Sequence, residues 1–140
     1  MLVRNGKLRV QAGPECDVVD ITSEVRRFVV ESGIRDGTVT LFNVGSTAGL
    51  TTVEFEPGCV QDLKELFQKI APATRDYHHE QTWHDGNGYS HMRASLLKPS
   101  LVVPVAEGQM RLGTWQQIVL LNFDNKARTR EVAIQTMGIA

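Results

Sequence analysis

The hydrophobic pattern changes period along the chain, and each change predicts an element. Lys7 to Gln11 alternates as a short strand, and Asp17 to Ile21 reads as a second strand after the Gly13-Pro14 break. Thr22 and Ser23 offer a helix cap, with Glu24 in the first turn. Val25, Phe28 and Val29 follow at helical spacing, and Gly33 is a C-terminal stop. Thr38 to Val44 is a β run, Gly45 to Gly49 a turn of small residues, and Leu50 to Phe55 a further strand ended by Pro57-Gly58. Cys59 to Ile70 is the strongest predicted helix. Leu63, Leu66, Phe67 and Ile70 fall at i, i+3, i+4 and i+7, Glu65 and Lys69 pair on the outside, and Pro72 prevents continuation.

From Ala73 to Ser90 no period holds, and Gly86 and Gly88 argue against a helix there. Met92 to Leu97 reads as a short helix stopped by Pro99. Three β runs close the chain: Leu101 to Val105 leading through Glu107-Gly108 to Met110, then Trp115 to Phe123, then Glu131 to Met137. The order β-β-α-β-β-α followed by strands predicts an α+β fold with antiparallel sheets, not an alternating βαβ pattern. The length is too short for a TIM barrel.

Composition adds limits. The 140 residues carry no repeat, low-complexity tract or linker, so one domain is expected over 1–140. An apolar fraction of 41% supplies one core. With 15 basic and 16 acidic residues the net charge is −1, so neither a nucleic-acid footprint nor a polybasic membrane anchor is expected. No apolar run approaches the ~20 residues of a bilayer span. Met1 to Gln11 is interrupted by Arg4, Lys7 and Arg9, unlike the core of a signal peptide. A cytoplasmic location is the expectation. Cys16 and Cys59 lack CxxC spacing and read as free thiols. Cys59 opens a predicted helix, where a thiolate is favoured, but burial as a structural residue is the preferred reading.

All four histidines, His78, His79, His84 and His91, lie in one stretch with Glu80, Asp85 and Asn87. Neutral imidazole suits Zn²⁺, Cu²⁺, Ni²⁺ or Fe²⁺, and a carboxylate beside it can ligate or orient. Catalytic zinc typically takes three protein ligands and keeps one position open. The gaps from His79 to His84 and on to His91 are five and seven residues, unlike the H-E-x-x-H helix motif. A solvated loop whose histidines do nothing jointly is the alternative. Gly45 to Gly49, with Ser46 and Thr47, could cradle an anion or be an ordinary hairpin turn. Gly113-Thr114-Trp115-Gln116 opens a strand with polar groups, and Trp115 is expected in the core. Arg93 and Arg111 are candidate phosphate partners beside the plainer reading of surface arginines.

Several pieces together resemble a known family. They are Tyr77-x-His79, Asp85-Gly86-Asn87-Gly88, Ser90-His91, Ala94-Ser95-Leu96-Leu97, Pro99-Ser100, Val103-Pro104-Val105, Gly108, Leu112-Gly113-Thr114-Trp115-Gln116 and the basic segment Arg128 to Arg130. In this order they resemble the YjbQ-type family of small bacterial and archaeal proteins, often labelled secondary thiamine-phosphate synthase. The resemblance runs from Asp20 onward. It implies a β-sandwich of two mostly antiparallel sheets with two main outer helices. It also implies a homotrimer with sites near subunit contacts, and a bound divalent metal, zinc or, for a pyrophosphate substrate, magnesium. The label implies joining a pyrimidine pyrophosphate to a thiazole phosphate. One departure stands out. The family's His-Thr-Ser/Thr-Ala segment, ending in Asn-Glu, is here Gly45-Ser46-Thr47-Ala48, ending in Val53-Glu54. His84, outside the family pattern, could supply the missing imidazole.

Two functional readings follow. In the first, an enzyme uses His79, His91 and His84 as metal ligands, with His91, Asp85 or Glu54 in acid-base roles. Asn87, Thr114 and Gln116 orient the substrate, and Ser46, Thr47 and Arg93 hold phosphate. In the second, a non-catalytic trimeric module binds a metal or a phosphorylated metabolite without turnover. A structural trimer with a vestigial site is the plainest alternative.

Overall fold

The computed structural model describes residues 1–140, and it makes two antiparallel sheets and four helices. β1 (Leu2–Ala12) and β2 (Asp17–Asp20) lead into α1 (Thr22–Ser32); β3 (Asp36–Asn43) and β4 (Ala48–Glu54) follow. Next come α2 (Pro57–Ile70), α3 (His79–Trp83) and α4 (Gly88–Leu97). β5 (Ser100–Ala106), β6 (Gln109–Met110), β7 (Gln116–Asn122) and β8 (Arg128–Ile139) end the chain. The larger sheet has the order β1-β8-β3-β5-β6 and the smaller β2-β7-β4. No helix is long and apolar enough to cross a membrane.

β7 explains the layering. Its Ile118, Val119, Leu120 and Leu121 are fully buried, a continuous apolar run that only a strand covered on both faces can carry. Ile118 and Leu120 point into the core between the sheets, with Val39, Leu41, Val132 and Ile134 of the larger sheet. Val119, Leu121 and Phe123 point the other way, against Phe67 of α2 and Ala94 of α4. The Phe67 and Phe123 rings meet at 4.7 Å. Burying each such side chain stabilises the fold by about 1.5–3 kcal/mol. α1 sends Val25 and Val29 into the inter-sheet core. The outer face of the larger sheet carries no helix.

Several elements differ from expectation for tertiary reasons. β1 is longer than its alternating segment because it pairs with β8 from Leu2↔Gly138 to Ala12↔Arg128. α1 has no side-chain cap at its N-cap, Ile21. Thr22 instead donates its hydroxyl to Asp20 Oδ1 (2.6 Å) and accepts the Ile118 N–H (2.8 Å), joining the helix start to β7. Gly33 ends α1 in the left-handed conformation, as expected. α2 starts at Pro57 with Glu56 as its cap. A turn of helix, α3, forms inside the aperiodic stretch, and α4 begins at Gly88 rather than avoiding it. A Cβ on Gly88 would stand 2.5 Å from Tyr77 Cβ, so this glycine serves close packing. Trp115 is 73% exposed, not in the core, because it precedes β7 in a turn. Cys16 is buried and Cys59 half-buried, and both are free thiols.

Candidate functional site

The turn before β4, the start of α4 and the β7–β8 connection meet at one end of the smaller sheet. Register makes this so, since Ala48 pairs with Asn122. Apolar β7 ends there, and polar side chains replace the core. Asp124 is their hub, 1% exposed. Its Oδ2 accepts from Arg128 Nε (3.0 Å) and the Thr47 hydroxyl (3.2 Å), and its Oδ1 accepts the Asn125 N–H (2.8 Å). Burial pushes the Asp124 carboxyl up, but the bond and charge of Arg128, with the Thr47 bond, outweigh it and hold the group below its ordinary range. Arg130 is buried beside it. Its Nη2 donates to Thr47 Oγ1 (2.6 Å) and Asn122 Oδ1 (2.5 Å), and lies 4.0 Å from Asp124 Oδ2. Burial lowers the Arg130 pKa and Asp124 raises it.

Against this base sit the histidines. α3 presents His79 and Glu80 in its first turn. His79 Nε2 is 3.0 Å from the Asn87 amide and 3.4 Å from Asp85 Oδ1. The His91 ring, one turn into α4, meets the His79 ring at 4.3 Å. Burial lowers the His91 pKa, and His79 beside it adds to the effect, so His91 is neutral at pH 7. Glu80 Oε1 accepts the Gly88 N–H (2.7 Å), fixing α3 against α4. Asn125 Nδ2 donates to the Asp85 carbonyl (2.9 Å) and Ser90 Oγ to the Phe123 carbonyl (2.6 Å), which anchors the loop and helix to the end of β7. The ligand atoms of His79, Glu80 and Asp85 all lie within 4.8 Å of one another.

Asn87 is caught between two carboxylates. With its oxygen toward His79, its nitrogen reaches Asp124 Oδ1 at 3.5 Å. The oxygen then stands 2.9 Å from Asp85 Oδ1, acceptor against acceptor. In the opposite orientation the nitrogen donates to His79 Nε2 (3.0 Å) and Asp85 Oδ1 (2.9 Å), and the oxygen faces Asp124. Two well-placed bonds outweigh one long one, so the second orientation is favoured in the protein alone.

The structure therefore brings together His79, Asp85, Asn87, His91 and Thr47, with exposed Ser46 in the adjacent turn. His84 stays outside the group as the exposed left-handed C-cap of α3, and it is Glu80, not His84 or His91, whose ligand atoms gather with those of His79 and Asp85. Glu54, Thr114 and Gln116 lie at the far end of the smaller sheet. Glu54 pairs with Gln116 across β4 and β7, six residues or about 20 Å along the strand from Ala48. Gln116 bonds Gly113 N–H and Thr52 Oγ1. Arg93 faces away from His91 and bonds the Ala71 carbonyl and Gln68. Arg111 is exposed beyond β6. A Cβ at Gly45 would meet Arg130 Nη1 at 3.3 Å, so a larger residue here would press on that guanidinium. Asp124 and Asn122 were not singled out from the sequence. Their signal was a polar run directly after the apolar strand.

Comparison with known proteins agrees with this architecture. The family model described as UPF0047 protein YjbQ-like matches residues 6–139. A UPF0047 protein of Archaeoglobus fulgidus is 37% identical over 131 residues, 94% of this chain and 99% of that one. The UPF0047 protein YugU of Bacillus subtilis is 35% identical over 133 residues, 94% of this chain and 97% of that one. A YbjQ-like protein of unknown function from Sulfolobus solfataricus superposes with a TM-score of 0.92 at 30% identity, covering 97% of each chain. A yjbq/upf0047 family protein of Clostridium acetobutylicum gives a TM-score of 0.86 at 32% identity, covering 94% of this chain and 99% of that one.

Proposed function

The chain belongs to the UPF0047 YjbQ-like family, and we propose that it is a cytoplasmic enzyme binding a divalent cation, zinc by preference, beside a phosphate-recognition surface. The gathering of ligand atoms from His79, Glu80 and Asp85 within 4.8 Å of one another carries this reading. A cation held by His79 Nε2 and Asp85, with Glu80 adjoining, would also attract the Asn87 oxygen and so turn the Asn87 nitrogen toward Asp124. The donor set fits: one imidazole with hard oxygens suits zinc, manganese or iron better than a thiolate-seeking ion.

When bound, such an ion acts as a Lewis acid and neutralises charge on phosphate oxygens. The protein's own groups do the rest. Arg128, half-exposed and held by Asp124, is a cation beside the same polar group. Ser46 lies in the exposed turn as a further donor, while Thr47 is already committed to Asp124 and Arg130. His91, neutral and next to His79, can accept a proton. For the reaction named by the family label, the pyrophosphate leaves with its bonding electron pair as the thiazole nitrogen forms the new C–N bond. In this reading Arg128 would help neutralise that leaving group.

Glu54, Thr114 and Gln116 are too distant to act on the same substrate within one chain. A homotrimer would let a neighbouring subunit bring its exposed Trp115 and these polar groups to the histidine group. The uncovered face of the larger sheet, where Val102 is 55% and Phe42 46% exposed, supports assembly of this kind. That same distance favours the second reading, a trimeric module that binds a phosphorylated metabolite without turnover. The test is conversion of the pyrimidine pyrophosphate and thiazole phosphate pair, with Zn²⁺ or Mg²⁺, by the wild-type chain and by His91→Ala and Asp85→Ala. Product lost in both variants supports the enzyme. Saturable binding without product leaves only the module.

A further inference from the structure

On the far side of α4 from the histidines lies a cavity of about 380 Å³. Its wall includes Glu15, Cys16, Lys64, Gln68, Tyr89 and Arg93. Arg93 is 3% exposed. Its Nε donates to the Ala71 carbonyl (2.9 Å), its Nη2 to Gln68 Oε1 (2.7 Å), and the guanidinium lies 4.8 Å from the centre of the Tyr89 ring. Those contacts tie α4 to the end of α2. They leave Nη1 without a hydrogen bond, and no carboxylate stands within ion-pair distance of the group. Nη1 is not among the polar atoms sealed without partners, so it keeps contact with solvent, and Arg93 lines the cavity.

A buried guanidinium without a counter-charge is costly, and buried arginines are almost always paired. The free edge of this fork, Nη1 and the second hydrogen of Nη2, suits a planar carboxylate. The other charges restrict the ligand further. Lys64 adds one cation, while Glu15 and Glu65 add two anions around the same cavity. A phosphate dianion would meet both acids, whereas a carboxylate carrying its own ammonium would satisfy both signs. We propose that this cavity binds a small α-amino acid, its carboxylate on Arg93 and its ammonium toward Glu15. Glu15 and Arg93 line the cavity together with Tyr89. The site is separate from the histidine group and stands or falls independently of it.

The experiment is amide NMR of the full chain titrated with alanine, propionate and inorganic phosphate. Alanine should give saturable shifts at Cys16, Gln68 and Tyr89, and should bind more tightly than propionate or phosphate. Arg93→Gln should weaken alanine about tenfold or more, the worth of a charge-assisted hydrogen bond. Because that variant also loses the α2–α4 tie, exposed Glu15→Gln is the second probe. It should weaken alanine roughly two- to fivefold, as a partly exposed ion pair does, and leave propionate unchanged. His79→Ala should leave alanine binding intact. Phosphate or propionate binding as tightly as alanine, no saturable shift with any of the three, or an unchanged alanine affinity in Glu15→Gln would each overturn the proposal.

Discussion

Replacing Gly88 by Ala sets two effects against each other, and the structure says which wins. Gly88 is the first residue of α4, where alanine is the better helix former by about 1 kcal/mol. Against that, the new Cβ would stand 2.5 Å from Tyr77 Cβ, an atom fixed to the backbone and unable to swing away. Overpacking of this kind costs about 1–3 kcal/mol. The same Cβ would lie 2.8 and 2.9 Å from the Glu80 carboxylate oxygens. The bond from Gly88 N–H to Glu80 Oε1 would have to open, losing a charged hydrogen bond worth about 1.5–3 kcal/mol. The net expectation is a loss of about 2–4 kcal/mol, of the order of 10 °C in melting temperature for a domain of this size. Denaturant unfolding followed by circular dichroism measures it. The midpoint should fall with the slope unchanged, since only packing is altered. A variant as stable as the parent, or more so, would refute the claim that tight packing against Tyr77 and Glu80 sets the start of the helix bearing His91.

Further outcomes follow from the same geometry. Asp124→Asn leaves buried Arg130 without its nearest carboxylate and should cost about 3 kcal/mol or more in chemical unfolding. Because the folded Asp124 carboxyl is held below its ordinary value, its stabilisation is complete above the unfolded pKa of about 4 and is lost as pH falls through the lower folded value. Wild type should therefore lose more stability than Asp124→Asn on acidification below about pH 4, and equal losses would contradict this. Burial pushes the Cys16 thiol up to about 11. Only about one part in a thousand is thiolate at pH 8, so Ellman's reagent should show one accessible thiol, Cys59, and a second only on unfolding. Removing the first by Cys59→Ser should abolish the fast phase.

Local pattern made much of the fold legible. The i, i+3, i+4, i+7 spacing of Leu63, Leu66, Phe67 and Ile70 gave α2, and Gly33 marked the end of α1 because its conformation is a backbone property. The run Ile118 to Leu121 read as a strand, though its cover on both sides depends on α2 and α4, which no local pattern encodes. Gly88 misled for a related reason. It reads as a helix breaker, but its role is to admit Tyr77, which lies eleven positions earlier in sequence. The histidine stretch was visible as composition. Which of its members converge depends on the left-handed turn at His84, which carries that ring away, and on the loop that returns Asp85 and Asn87 to His79. Asp124 and Arg130 join from later in the chain through the β4–β7 and β3–β8 pairings. The same β4–β7 register removes Glu54 and Gln116 to the opposite end, since antiparallel pairing decides which ends of two strands meet.

The most direct test of the proposed cation site is native mass spectrometry of the full chain, purified without chelators or a histidine tag, beside His79→Ala, Asp85→Ala and His84→Ala. The account predicts about one zinc-sized mass per chain in a trimer, lost from the first two variants and retained in His84→Ala. A metal-free wild-type chain, or a metal lost only when His84 is replaced, would contradict it.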